Sequence, residues 1–177
     1  MMLFFPCYSS SVLANKVIGT AGYYSLRATN SEGTAKVSNP GHFRLIYDHG
    51  LGDQWMMSIG YSIYILTGSG IEFGYGLDLG ARYYPFTYHS GVRAESANAD
   101  FVMIENWRPF TGLAFNQRQY QGIQSSYAGF SLELGLDYAL VPNTSLQTSA
   151  RYMVMKGPFD SSLTEWSLVG GIAVELP

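Results

Sequence analysis

The sequence predicts an all-β chain, an eight-stranded antiparallel up-and-down transmembrane β-barrel. Three observations predict it. The first is residues 71–86, IEFGYGLDLGARYYPF. There Ile71, Phe73, Tyr75, Leu77, Leu79, Ala81 and Tyr83 alternate with Glu72, Gly74, Gly76, Asp78, Gly80 and Arg82. A period of two is a strand with one apolar and one polar face, and here the charges share their face with three glycines. In a soluble sheet a water-facing side gains nothing from glycine, which weakens a strand. In a narrow membrane barrel the polar side points inward, where room is short, and the bulky side meets lipid. The second is composition: 13% charged residues with 14 Tyr and 20 Gly suit many strands and turns. The third is that no stretch reaches the roughly 18 uninterrupted apolar residues of a membrane helix. A sheet in lipid must then close on itself, because open edges cannot be satisfied there.

A length of 177 residues is one domain. Residues 1–14 are expected to be a signal-peptide remnant, with the barrel domain over residues 15–177. Met2 to Cys7 is apolar, Ser9 to Ser11 is small and polar, and Val12-Leu13-Ala14 offers the small residues a signal peptidase reads. The basic n-region of such a signal is absent, as it would be if the true start lay upstream. Cys7 is the only cysteine, so no disulfide or cysteine-rich metal site is expected.

The strands follow in order. Residues 16–29 form the first, with Gly19, Gly22 and Tyr23-Tyr24 blurring its faces; residues 30–40 read as a polar loop. Residues 42–50 set Phe43, Leu45 and Tyr47 against Arg44 and Asp48, and Gly50-Leu51-Gly52-Asp53 turns the chain. Residues 55–65 carry an unbroken apolar face of Trp55, Met57, Ile59, Tyr61, Ile63 and Ile65 opposite Ser58, Gly60 and Ser62. After residues 71–86 the signal weakens through residues 87–106. It resumes at residues 107–119, where Arg108, Gly112, Asn116 and Arg118 oppose Leu113 and Phe115, and residues 121–126 read as a loop. Residues 127–140 set Phe130, Leu132, Leu134, Leu136 and Tyr138 against Ser131, Glu133, Gly135 and Asp137, before a turn at Pro142-Asn143. Residues 145–156 and 163–176 close the series, the last with Trp166, Leu168, Ile172 and Val174 against Glu165, Ser167, Gly171 and Glu175.

Three segments carry a resemblance: Gly76-Leu77-Asp78-Leu79-Gly80-Ala81-Arg82-Tyr83-Tyr84, Trp107-Arg108-Pro109-Phe110-Thr111-Gly112-Leu113 and Glu133-Leu134-Gly135-Leu136-Asp137-Tyr138. With them the mature chain resembles the small eight-stranded outer-membrane barrels of the OmpA-like transmembrane-domain type. The resemblance implies a barrel in the outer membrane of a Gram-negative bacterium with both ends in the periplasm. It implies outer-membrane lipid, lipopolysaccharide and the barrel-assembly machinery as partners. Two features depart from the pattern. The chain ends Glu175-Leu176-Pro177 where an aromatic residue is usual. Residues 87–106 fall on the side of the short periplasmic turns, so either the strand count is off by one or the chain makes an excursion there.

Alternation points Arg44, Arg82, Arg108, Arg118 and Arg151 inward with Asp48, Glu72, Asp78, Glu133, Asp137, Glu165 and Glu175. Charges away from water need partners, and the planar fork of arginine suits carboxylates. An eight-stranded barrel is just wide enough for side chains to fill, so an ion-pair network that plugs the lumen is expected. The aromatics are expected as girdles at the two interfaces: Trp55, Tyr83, Trp107 and Tyr138 near one rim, Tyr64, Phe73, Tyr127 and Trp166 near the other. Within the network, Arg151 is expected to pair with its strand neighbour Glu133, and Arg82 to reach across the lumen.

Net charge is −3 with no basic run, which argues against nucleic acid as a partner. His42, His49 and His89 are scattered, with no second ligand at metal spacing, and no cofactor is expected. His89-Ser90 are adjacent in a loop, unlike the His-x-Ser strand arrangement of lipid A deacylases. The favoured reading is a non-enzymatic barrel with a structural or surface-interaction role. A narrow porin-like channel is the alternative, and a lipid-modifying enzyme a weaker one. A soluble lipocalin-like barrel would expose Arg82, Glu133 and Asp137 to water, and the inward glycines argue against it.

Overall fold

The structure, a computed structural model, describes residues 14–30, 33–67, 71–85, 92–96, 99–103, 107–121, 125–141 and 143–176. The expected signal segment therefore lies, except for Ala14, outside the described residues. Among the described residues there are ten strands: β1 (Lys16–Asn30), β2 (Gly33–Gly50), β3 (Trp55–Thr67), β4 (Ile71–Tyr83), β5 (Val92–Ser96), β6 (Ala99–Met103), β7 (Trp107–Tyr120), β8 (Ser125–Val141), β9 (Thr144–Lys156) and β10 (Ser162–Glu175). Eight of them close a barrel in the order β1-β10-β9-β8-β7-β4-β3-β2. All neighbours are antiparallel, and β1 closes on β10 from Lys16↔Glu175 to Thr29↔Ser162. The barrel strands run 13 to 18 residues, where a tilted strand needs about 9–11 to cross the hydrocarbon.

Of residues 87–106, the described ones form an excursion from the barrel. β4 pairs directly with β7, while β5 and β6 pair only with each other, from Val92↔Met103 to Ser96↔Ala99. In the chain the hairpin lies between the end of β4 and the start of β7, at the end of the barrel where β1 begins and β10 ends and the amide of Leu176 donates to Asn15 O. Residues 30–40, expected as a loop, are instead mostly strand: Asn30 pairs with Gly33, and β2 continues from there. Residues 33–36 are exposed on both faces, so no apolar side marks a period. The expected loop at residues 121–126 is likewise shortened by the start of β8 at Ser125.

The wall is apolar outside and polar inside. Leu113 is 66% and Phe130 70% exposed on the outer surface, among many exposed Leu, Ile and aromatic side chains. The first strand also has faces: Lys16, Ile18, Thr20, Tyr24 and Leu26 are buried, while Val17, Tyr23 and Arg27 point out. Its pattern is blurred because the register with β2 shifts between Gly22 and Tyr24. Four inward glycines stand opposite large inward residues. Gly74 faces Tyr120, Gly76 faces Arg118, Gly112 faces Arg82 and Gly135 faces Phe110 across the strand pairs. A Cβ at Gly135 would overlap the Phe110 ring, and one at Gly74 would meet the Tyr120 ring. Glycine on the polar face is thus the space into which long side chains fold.

Candidate functional site

The candidate site is the lumen. Six cations (Lys16, Arg44, Arg82, Arg108, Arg118 and Arg151) and five carboxylates (Asp48, Asp78, Glu133, Asp137 and Glu165) are buried among the described residues. The charges nearly balance, which lets the ions neutralise one another. Strand parity places each of them: all alternate with outward neighbours, at least one of them apolar for every charge except Arg118, which stands between Gln117 and Gln119.

A chain of bonds links these charges from one end of the barrel toward the other. Near the termini, Lys16 Nζ lies 3.0 Å from Asp137 Oδ2, and the Tyr84 hydroxyl donates to the same oxygen at 3.2 Å. Glu175 lies at this rim, with its Oε1 3.9 Å from Lys16 Nζ. Arg108 stacks over the Tyr84 ring, 4.2 Å from its centroid. Gln147 Nε2 donates to Asp137 Oδ1 at 2.7 Å, and Gln147 Oε1 accepts from Arg82 Nη1 at 3.4 Å. Arg82 spans Asp48 at 2.7 Å and Glu133 at 3.1 Å. Ser58 completes Asp48 at 2.6 Å, and Ser149 bonds Glu133 at 2.7 Å. Arg44 joins Glu133 at 2.8 Å to Asp78 at 3.5 Å.

Asp78 is the hub of the next layer. Besides Arg44, it takes Arg151 at 2.9 Å and Arg118 at 2.5 Å. Asn116 and Ser62 donate to it at 2.6 and 3.1 Å. Arg151 also reaches Glu165 at 3.3 Å. The Tyr64 hydroxyl donates to Glu165 at 3.0 Å and accepts from Arg118 Nε at 2.9 Å and Arg151 Nη2 at 3.2 Å. Beyond this layer the lumen is filled by Tyr24, Leu26, Tyr120, Tyr127, Met153, Met155 and Leu163. A void of about 10 Å³ beside β4 and β7, lined in part by Arg44, Asp78, Arg82 and Glu133, has room for about one water.

The sequence-predicted residues divide as follows. Arg44, Asp48, Asp78, Arg82, Arg118, Glu133, Asp137, Arg151 and Glu165 are joined in the network, and Arg108 is buried beside it. The side chain of Glu72 lies outside the described residues. Arg151 does not pair with its strand neighbour Glu133: it turns to Asp78 and Glu165, while Glu133 takes Arg44 and Arg82. Of the girdle, Trp55 packs on Tyr83 and Trp107 on Tyr138 at ring separations of 4.8 Å, each pair directly cross-strand. Phe73 and Trp166 are exposed on the wall. Tyr64 and Tyr127 are corrections: both are buried in the lumen. Tyr64 has the parity of Ser62 and Gly60, and Tyr127 that of Ser131 and Glu133, so the strand's own alternation turns them inward. Lys16, Tyr84, Asn116 and Gln147 join the network without having been expected there; inward parity marks Lys16, Asn116 and Gln147 on their strands, and Tyr84, one residue past β4, continues the parity of Arg82. His89 and Ser90 lie outside the described residues.

His42 sits inside, stacked on Tyr64 at 4.5 Å and 8° between planes. Neither ring nitrogen has a hydrogen-bond partner among the described residues. Burying unpaired polar atoms costs about 1–3 kcal/mol. His42→Phe keeps the stack and removes them, so it is expected to stabilise the barrel by a similar amount. Urea titration of the folded protein in detergent checks this; a lower midpoint would show that the imidazole is needed.

No protein-family model matches this sequence, and no curated protein matches it. Solved structures do. Neisserial surface protein A (NspA) is similar over 93% of this chain and 99% of its own, with 17% identity and a TM-score of 0.63. The outer membrane protein AlkL is similar over 99% of this chain and 98% of its own, with 11% identity and a TM-score of 0.55. With a closed sheet, an apolar wall and a charged interior, this chain has the fold of the small eight-stranded β-barrels of the bacterial outer membrane.

Proposed function

We propose that the protein is a non-conducting, non-enzymatic outer-membrane barrel with a structural or surface-interaction role. The observation that carries this reading is the filled lumen: a continuous ion-pair network capped by a layer of tyrosines, methionines and leucines. A pore needs a continuous path for hydrated ions, and the guanidinium and carboxylate groups here occupy that path. The outer wall then meets outer-membrane lipid and lipopolysaccharide, and the strands are delivered to the membrane by the barrel-assembly machinery.

The test is conductance. Purified full-length protein reconstituted in planar bilayers is expected to give no steady single-channel steps above the bare membrane. Stepwise conductance at a fixed potential would overturn the plugged reading in favour of a narrow channel.

A further inference from the structure

We propose that Arg27, Lys36 and Lys156 form a binding site on the outer wall for the phosphates of lipid A, the phosphorylated and acylated disaccharide of the outer leaflet. This rests on the outer-membrane reading, with the chain termini on the periplasmic side.

The three cations belong to one wall, built from β2, β1, β10 and β9. Arg27 pairs directly with Lys36 across β1 and β2 and with Thr164 across β1 and β10. Lys156 pairs with Ser162, one pleat from Thr164 on the same face of β10. All three side chains are exposed, at the end of the barrel away from the termini. From Lys156 to Arg27 is two strand spacings, about 10 Å across the wall. Side chains this long close much of that gap.

Two features of the wall point to a ligand. The first is the direct opposition of Arg27 and Lys36, because like charges facing each other across a sheet are destabilising. Lys16, Arg44, Arg82, Arg118 and Arg151 are each matched to a carboxylate, yet among the described residues none of Arg27, Lys36 and Lys156 has an ion-pair partner. Asp160, in the β9–β10 turn, pairs with none of them. Glu32, between β1 and β2 in the chain, lies outside the described residues. An anion set between Arg27 and Lys36 turns their repulsion into attraction, and the guanidinium fork matches phosphate oxygens.

The second feature is depth and neighbouring chemistry. Trp166, one pleat below Thr164, pairs with Tyr152 on β9, and both rings are exposed. Such an aromatic row marks the membrane interface, so the cations lie at the level of the lipid headgroups. Hydroxyls lie among the cations: Thr29 and Thr34 face each other with oxygens 3.3 Å apart, and Ser162 and Thr164 separate Lys156 from Arg27. Cations for phosphate, hydroxyls for sugar and an apolar wall for acyl chains match the three parts of lipid A.

The experiment is native mass spectrometry of the folded full-length barrel in detergent, titrated separately with bisphosphorylated lipid A, phosphate-free lipid A and phosphatidylglycerol. The wild-type protein is expected to bind bisphosphorylated lipid A at least about tenfold more tightly than either other lipid. The triple variant Arg27→Gln, Lys36→Gln, Lys156→Gln is expected to lose about tenfold in affinity for it, while its migration before and after boiling stays that of a folded barrel. Equal binding by wild type and variant overturns the site. Equal affinity for phosphate-free lipid A or for phosphatidylglycerol overturns the headgroup assignment. A wild-type chain that shows no heat-modifiable migration would overturn the membrane reading itself, and this site with it.

Discussion

Replacing Asp78 with alanine is expected to cost the folded barrel about 3–5 kcal/mol, the range for breaking a buried charge pair. Asp78 holds three guanidinium groups, those of Arg44, Arg118 and Arg151. It also accepts from Asn116 and Ser62. Its loss leaves cations facing each other in a lumen that water scarcely enters. Urea unfolding in detergent micelles, followed by tryptophan fluorescence, measures the cost; a loss under about 1 kcal/mol, the size of an exposed pair, would mean that the network is solvated. Double-mutant cycles separate the partners. Asp78→Asn with Arg151→Met is expected to be strongly non-additive. Glu133→Gln with Arg151→Met is expected to show a smaller coupling, because these strand neighbours bond elsewhere. The reverse order would show that the pairs are exchanged in the membrane.

Arginine on the outer wall at mid-strand is the second large effect. Leu77 and Leu134 are 56% and 58% exposed and lie on the apolar face of β4 and β8. Leu77→Arg or Leu134→Arg is expected to impair insertion by about 2–4 kcal/mol, the midplane cost of a lipid-facing charge. Leu140→Arg is the depth control. Leu140 lies beyond Tyr138, near the rim that carries the termini, and is 53% exposed. Its cost should fall to about 0–1 kcal/mol, as at an interface. Folding into lipid vesicles at graded urea reads all three. If mid-strand and rim variants fold alike, the wall is not facing hydrocarbon.

Several features of this molecule were legible in single strands. On β4, Leu77 and Leu79 against Asp78 and Arg82 already separate wall from lumen, because consecutive side chains leave a strand on opposite sides. The same alternation on β8 places Glu133 and Asp137 inside. Where both faces are exposed, as along residues 33–36, alternation has no apolar member to report, and that part of β2 read as loop. Tyr64 and Tyr127 lie near a rim yet point into the lumen, because parity and not height decides which way a side chain points.

Sequence by itself therefore determined the closed antiparallel fold, the sidedness of its strands and the inward direction of the charges, since each depends on a local period of two. The partners of those charges were decided only by the closed barrel. Arg82 on β4 meets Asp48 on β2 and Glu133 on β8, and Arg151 on β9 meets Asp78 on β4. None of these pairs is adjacent in the strand pairing, and the adjacent pair Glu133 and Arg151 is not the one that bonds. Within one strand, parity states that a side chain points inward and leaves its height in the lumen open. Closure and register set that height, and the glycines opposite Arg82 and Arg118 give their long side chains room to fold. Which carboxylate lies within reach is thus a property of the assembled cylinder.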